Sequence, residues 1–196
     1  EVMEEGRVSV DWVRHPVGSP FMVIATQNPV EQAGVYPLPE AQLDRFLVRT
    51  SLGYPDHDTT VALLADASLR DRASVVAPLI TADAVSQMTD LAAQVHVDPA
   101  VLSYVSLLAE ASRRSPSVKL GVSTRGCLAL TRTAKTWAAT RGRTYVIHDD
   151  VKALVHPVLG HRVSLTPDAE FAGLTVDGLF DQLLAEVAPP VVRGAA

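Results

Sequence analysis

One stretch constrains the fold more than any other: Phe21 to Phe46, FMVIATQNPVEQAGVYPLPEAQLDRF. Its first six residues, Phe21 to Thr26, form an apolar, strand-like run that stops abruptly at Gln27-Asn28-Pro29. A buried parallel strand ends in this way when it delivers a side chain to a site at its carboxyl end, and Asn28 is the side chain so placed. After a loop rich in Gly and Pro, a short helical segment opened by Pro39 carries Leu43-Asp44-Arg45-Phe46 into a second apolar run, Phe46-Leu47-Val48. Asn28 and Arg45 therefore stand at the ends of adjoining core elements.

The residues before this stretch read as the last turn of a helix ending at Gly6, then a hairpin. Arg7 to Val10 alternates, Asp11-Trp12 marks a bend, and Val13 to Val17 alternates less cleanly. The bend has weak turn chemistry, because Asp-Trp lacks the glycine a tight hairpin prefers. The first residue is Glu1 rather than Met, which suggests a sequence that begins inside a longer protein. Ser51-Leu52-Gly53-Tyr54-Pro55 closes the strand region, and a domain boundary is expected there, between residues 1–54 and 55–196.

Beyond that boundary the periodicity is helical. Asp56 and Asp58 can cap a helix reaching Arg70, and Thr81 opens one in which Val85, Met88, Leu91, Ala92 and Val95 share a face. Asp98-Pro99 is an N-cap followed by proline at the first helical position. Ser123 caps the next helix, His148-Asp149-Asp150 starts one more through His161, and Thr175 to Val187 forms the last. Short extended pieces are expected only at Thr144 to Val146 and Arg162 to Leu165. The fold class is thus α/β followed by a small all-α bundle.

A hydrophobic content of 47% over 196 residues gives an ordered globular protein. The net charge of -5 supplies no global attraction to nucleic acid or to an anionic membrane, although Arg113-Arg114 and Arg141 to Arg143 are local basic spots. A single cysteine, Cys127, excludes an intrachain disulfide. No apolar run approaches a membrane span and no signal peptide opens the chain, so the expected location is cytoplasmic.

Three residues could carry chemistry, and each has a plainer alternative. Arg125 lies in the first turn of the Ser123-capped helix, where the macrodipole disfavours a cation by about 0.3–1 kcal/mol. Either it extends into water or an anion compensates it, and a helix N-terminus with a guanidinium fork suits phosphate. Arg45 either pairs with Asp44 or Glu40 on the surface or is presented to a phosphoryl group on a neighbouring subunit. Asn28 either caps its own turn or serves a site at the strand end. Asp56-His57-Asp58 and the pair His156 and His161 lack metal spacing and read as caps and helix faces. Cys127 reads as an inert thiol on an apolar face.

The order of these residues, and the wording ATQNPVEQAGVYPLPEAQLDRF, GVSTRGCLAL and RGRTYVIHDDVKALVHPVLGHRV, resemble the MoxR family of AAA+ ATPases over almost the whole chain. The resemblance implies the carboxyl-terminal part of an AAA+ P-loop ATPase core with a β-hairpin insertion, followed by a helical lid. Asn28 would be the sensor 1 residue that orients the attacking water, Arg45 an arginine finger acting in trans, and Arg125 the sensor 2 residue of the lid, acting on its own subunit's nucleotide. It also implies ATP and Mg2+ as cofactors, self-association into a hexameric ring, a client protein complex, and a partner with a von Willebrand factor A domain. Neither nucleic acid nor a membrane span is expected.

The sequence departs from the family pattern at Trp12, where a hairpin glycine is common, and at Ala33 and Val35, which replace polar loop residues. More important, no G-x-x-x-x-G-K-[ST] occurs, and no apolar run ends in the acidic pair that would hold magnesium. Tyr145 to Asp150 imitates such a run but reads as a helix cap. This chain by itself is therefore expected not to hydrolyse ATP. The competing reading is a non-catalytic helical module that binds a partner protein.

Overall fold

The computed structural model describes residues 2–27, 38–65 and 76–189. At the amino end, helix α1 (Val2–Glu5) turns at Gly6 into strands β1 (Arg7–Val10) and β2 (Val13–Pro16), which pair antiparallel with Val10 opposite Val13. Their two-residue connection, Asp11-Trp12, has φ of 49° and 68°. Positive φ at both positions is what a primed hairpin turn requires to match the strand twist, so geometry overrides the weak turn chemistry. Every residue of both strands is exposed.

The expected strand at Phe21 to Thr26 does not form: residues 21–27 have no ladder partner among the described residues, and Phe21, Met22 and Ile24 are exposed. The reason is physical. An apolar run becomes a parallel strand only through neighbours that satisfy its N–H and C=O groups. The second apolar run, Phe46 to Val48, likewise carries no ladder.

Helix α2 (Glu40–Leu43) begins after Pro39, as expected, and places Asp44 and Arg45 in the turn that follows it. Helix α3 (His57–Ala65) is capped by Asp56, whose carboxylate accepts from the Thr59 N–H at 2.8 Å. Hydrogen bonds to Thr59 hold the Asp56 carboxyl below its ordinary range. The expected continuation to Arg70 lies outside the described residues.

The helical bundle follows the sequence closely. It comprises α4 (Ala82–Ala93), α5 (Pro99–Arg114), α6 (Thr124–Thr140), α7 (His148–Leu159), α8 (Pro167–Phe171) and α9 (Val176–Glu186). Thr81, Asp98, Ser123 and Thr175 cap their helices with the side-chain acceptors the sequence foretells. Tyr104, Leu108, Leu130, Ala134, Val151, Val155, Val158 and Phe180 make the core, each almost wholly buried. Asp150 confirms the cap reading: its carboxylate accepts from the Ile147 N–H at 2.9 Å and from both terminal nitrogens of Arg143 at 2.7 and 2.5 Å. Burial alone would raise its pKa, but these hydrogen bonds and the charges of Arg143 and Arg141 hold it below the usual carboxylate range.

One small sheet was half anticipated. Strand β4 (Ser164–Leu165) falls within the expected extended piece and pairs antiparallel with β3 (Val118–Leu120), whose three residues give no periodic signal. Between β3 and α6, Gly121 lies so close to α5 that a Cβ there would meet the Arg113 Cγ at 2.7 Å. The Ser112 hydroxyl ties the same corner by donating to the Ala109 carbonyl and accepting from the Val122 N–H.

Candidate functional site

The turn after α2 docks on the bundle where α6 begins and α7 ends. Asp44 is its organising group. One carboxylate oxygen accepts from Arg162 at 2.7 Å, both oxygens face the Ser123 hydroxyl at 3.1 and 3.2 Å, and the second lies 3.6 Å from the Arg125 guanidinium. The anion that the first turn of α6 calls for is thus in part the Asp44 carboxylate. The same Ser123 oxygen accepts the Gly126 N–H at 3.1 Å, so the helix cap and the carboxylate contact share one atom.

Arg162 is the buried member of this cluster, with a side chain only 2% exposed. Its Nε donates to the Val158 carbonyl at 2.9 Å, one terminal nitrogen donates to the Asp44 carbonyl as well as the carboxylate, and the other donates to the Phe46 carbonyl at 2.5 Å. The Phe46 carbonyl also accepts from His161 Nε2 at 2.9 Å, and the Arg49 N–H donates to the Pro157 carbonyl at 2.8 Å. The segment from Asp44 to Arg49 is therefore fastened to the end of α7 at several backbone points.

Burial first, and then the positive charges of Arg162 and Arg49, push the His161 pKa down; its bond to Phe46 and the Asp44 charge oppose them and lose. The folded state accordingly keeps a neutral imidazole where an unfolded chain protonates near pH 6.5. Above that pH the group contributes nothing to the pH dependence. As pH falls below it, the unfolded state binds the proton first and stability declines until the lower folded-state value is reached. Denaturation midpoints compared at about pH 7.5 and about pH 5.5 should show this decline, and His161→Gln should flatten it.

A cavity of about 300 Å3 opens at this junction, lined by Arg45, Arg125, Arg132 and Arg162, with Asp44 as the one carboxylate among the described lining residues and Met3, Leu47, Leu128 and Ala129 as its apolar wall. Arg45 and Arg125, singled out in sequence, are brought together here. Asn28 lies outside the described residues. Sequence reasoning missed Asp44 as a link to the bundle and Arg162 altogether. The signal for Arg162 was present: it stands four residues beyond Val158 on the buried stripe Val151, Val155, Val158, a position where a charge demands a partner. The donor set suits an oxyanion such as phosphate. It does not suit magnesium, since among the described residues no group of three or more His, Cys, Asp or Glu is placed to hold a metal ion.

Two family models match the chain: the ATPase family associated with various cellular activities (AAA) over residues 1–48, and the AAA lid domain over residues 110–183. The uncharacterized protein YeaC of Bacillus subtilis is 38% identical over 195 residues, covering 100% of this chain and 61% of its own length. Chaperone MoxR1 of Mycobacterium tuberculosis is 35% identical over 206 residues, covering 98% of this chain and 53% of its own. The crystal structure of a putative ATPase from Cytophaga hutchinsonii superposes with a TM-score of 0.85 at 30% identity, over 95% of this chain and 59% of that one. The fold is that of the carboxyl-terminal part of an AAA+ module with its helical lid. The chain belongs to the MoxR family of AAA+ ATPases. It spans between half and about three fifths of the length of these relatives. No helix among the described residues is long and apolar enough to cross a membrane.

Proposed function

We propose that this chain supplies the trans-acting and lid side of a nucleotide site in a ring-forming, MoxR-like ATPase that drives chaperone-like maturation or assembly of protein complexes. Residues 1–54 are its share of the AAA+ core and residues 55–196 its lid. The observation that carries the reading is the match to the AAA and AAA lid models over residues 1–48 and 110–183, with Arg45 in the turn after α2 and Arg125 in the first turn of α6 both at the junction of the two parts. Arginines so presented attract phosphate oxygens and stabilise charge that develops on them during transfer. ATP with Mg2+ would supply the phosphoryl group. Arg45 is assigned to the phosphates of a neighbouring subunit, Arg125 to those held by its own lid, and Asn28 to the attacking water.

Residues for a phosphate cradle and for magnesium are absent from the sequence, so turnover is assigned to the complete protein rather than to this chain. A cytoplasmic hexamer with a von Willebrand factor A domain partner is the setting this reading favours. The test is a mixing experiment on the complete protein. Subunits defective in their own nucleotide site are combined with Arg45→Ala subunits, and ATP turnover is followed against composition. Turnover should depend on which subunit of a neighbouring pair carries the arginine. Identical turnover in all mixtures removes Arg45 from the mechanism.

A further inference from the structure

We propose that Arg162 is a positioning residue for Arg45, clamping the backbone on both sides of it to the lid so that the lid and Arg45 move as one body. The inference rests on the reading of Arg45 given above. Its evidence is the pattern of acceptors. Arg162 donates to the carbonyl of Asp44 and to the carbonyl of Phe46, the two residues that flank Arg45, while its Nε holds the Val158 carbonyl in the last turn of α7. The Asp44 carboxylate neutralises the guanidinium at 2.7 Å. A buried cation normally carries a large desolvation cost, so a structure that retains one with all three guanidinium nitrogens hydrogen-bonded has committed that charge to fixing a geometry.

Only an arginine can do this. Its planar fork spans several acceptors at once, whereas a lysine ammonium is a point charge on a flexible stem. His161 and Arg49 add bonds to the same segment, but neither reaches the carbonyl that precedes Arg45. Arg125 lies on the same lid, 3.6 Å from the same Asp44 carboxylate. A displacement of the lid therefore carries Arg45 and Arg125 together, and loosening the clamp frees Arg45 while leaving Arg125 in place.

The experiment uses the complete protein with spin labels at Ala41, on the exposed face of α2, and Thr136, on α6. Wild type should give a narrow distance distribution that Arg162→Gln broadens. Arg162→Gln should lower kcat by roughly 10–100-fold with little change in the KM for ATP, the signature of a misplaced group rather than lost binding. Adding Arg45→Ala to Arg162→Gln should cost much less than Arg45→Ala costs alone. Arg162→Lys keeps a cation beside Asp44 and loses the fork, so it should fold and still broaden the distribution. Arg114→Gln, on the exposed face of α5, is the control that should change neither readout.

A distribution that stays narrow in both Arg162 variants overturns the clamp, as does an undiminished Arg45→Ala effect in the Arg162→Gln background. Broadening together with an Arg45→Ala variant of normal turnover leaves the clamp standing and removes the catalytic role of Arg45. The two ideas therefore fail separately.

Discussion

Asp44→Ala is expected to lower stability by about 3 kcal/mol, the lower end of the range for stripping one partner from a buried ion pair. The Arg162 side chain is almost fully buried while that of Asp44 is 20% exposed, so water relieves part of the loss but cannot reach the guanidinium. The substitution also removes the acceptor of the Ser123 hydroxyl and the carboxylate facing Arg125. Asp44→Asn should cost less, since an amide oxygen can still accept from Arg162. The discriminating variant is the double substitution Asp44→Ala with Arg162→Met. Replacing both ions by apolar groups removes the uncompensated charge, and part of the stability should return, although the Asp44, Phe46 and Val158 carbonyls lose the donors that Arg162 supplied. Urea denaturation of the four proteins measures the set. A double variant no more stable than Asp44→Ala alone would show that the loss comes from the turn itself and not from the orphaned charge.

Phe180→Ala should be at least as damaging, at about 3–5 kcal/mol, because it opens a cavity at the point where α9 meets the rest of the bundle. Phe180 is 1% exposed and meets the His156 ring edge-on at 6.1 Å, while Leu179 and Leu183 bury the same face of α9. Helix α9 packs against α5 and α7 through this one stripe. Its amide protons should therefore lose hydrogen-exchange protection before those of α6 do. Phe171→Ala is the comparison: that ring is 96% exposed, and its removal should change stability by no more than about 0.5 kcal/mol. Equal losses in the two variants would contradict the assignment of the core.

The lid was legible because its signals are local. A capping side chain such as Asp98 or Ser123 acts on N–H groups within three residues, and a buried stripe repeats every turn of one helix. The strand run Phe21 to Thr26 was not legible in the same sense, since a parallel strand is defined by segments remote in sequence. The cluster at Asp44 shows the same limit from the other side. Arg45 and Arg125 could each be singled out by charge and position, but nothing local to Asp44 states that its partner lies at Arg162. The interruption of an apolar stripe by that arginine was the one hint available. The turn Asp11-Trp12 fails differently: its residues are poor for the conformation, and the twist of the strands imposes it.

The clamp on the Arg45 turn engages carbonyl oxygens that belong to the peptide backbone, and the side chain at position 45 takes no part in the bonds Arg162 makes. Position 45 is consequently a socket: the backbone that frames it is held by the carbonyls of its two neighbours, which a change of side chain at 45 leaves in place for any residue but proline. A lysine, glutamine or alanine placed there inherits the same backbone position, so differences among such variants report the side chain and its contacts rather than a shift of the turn.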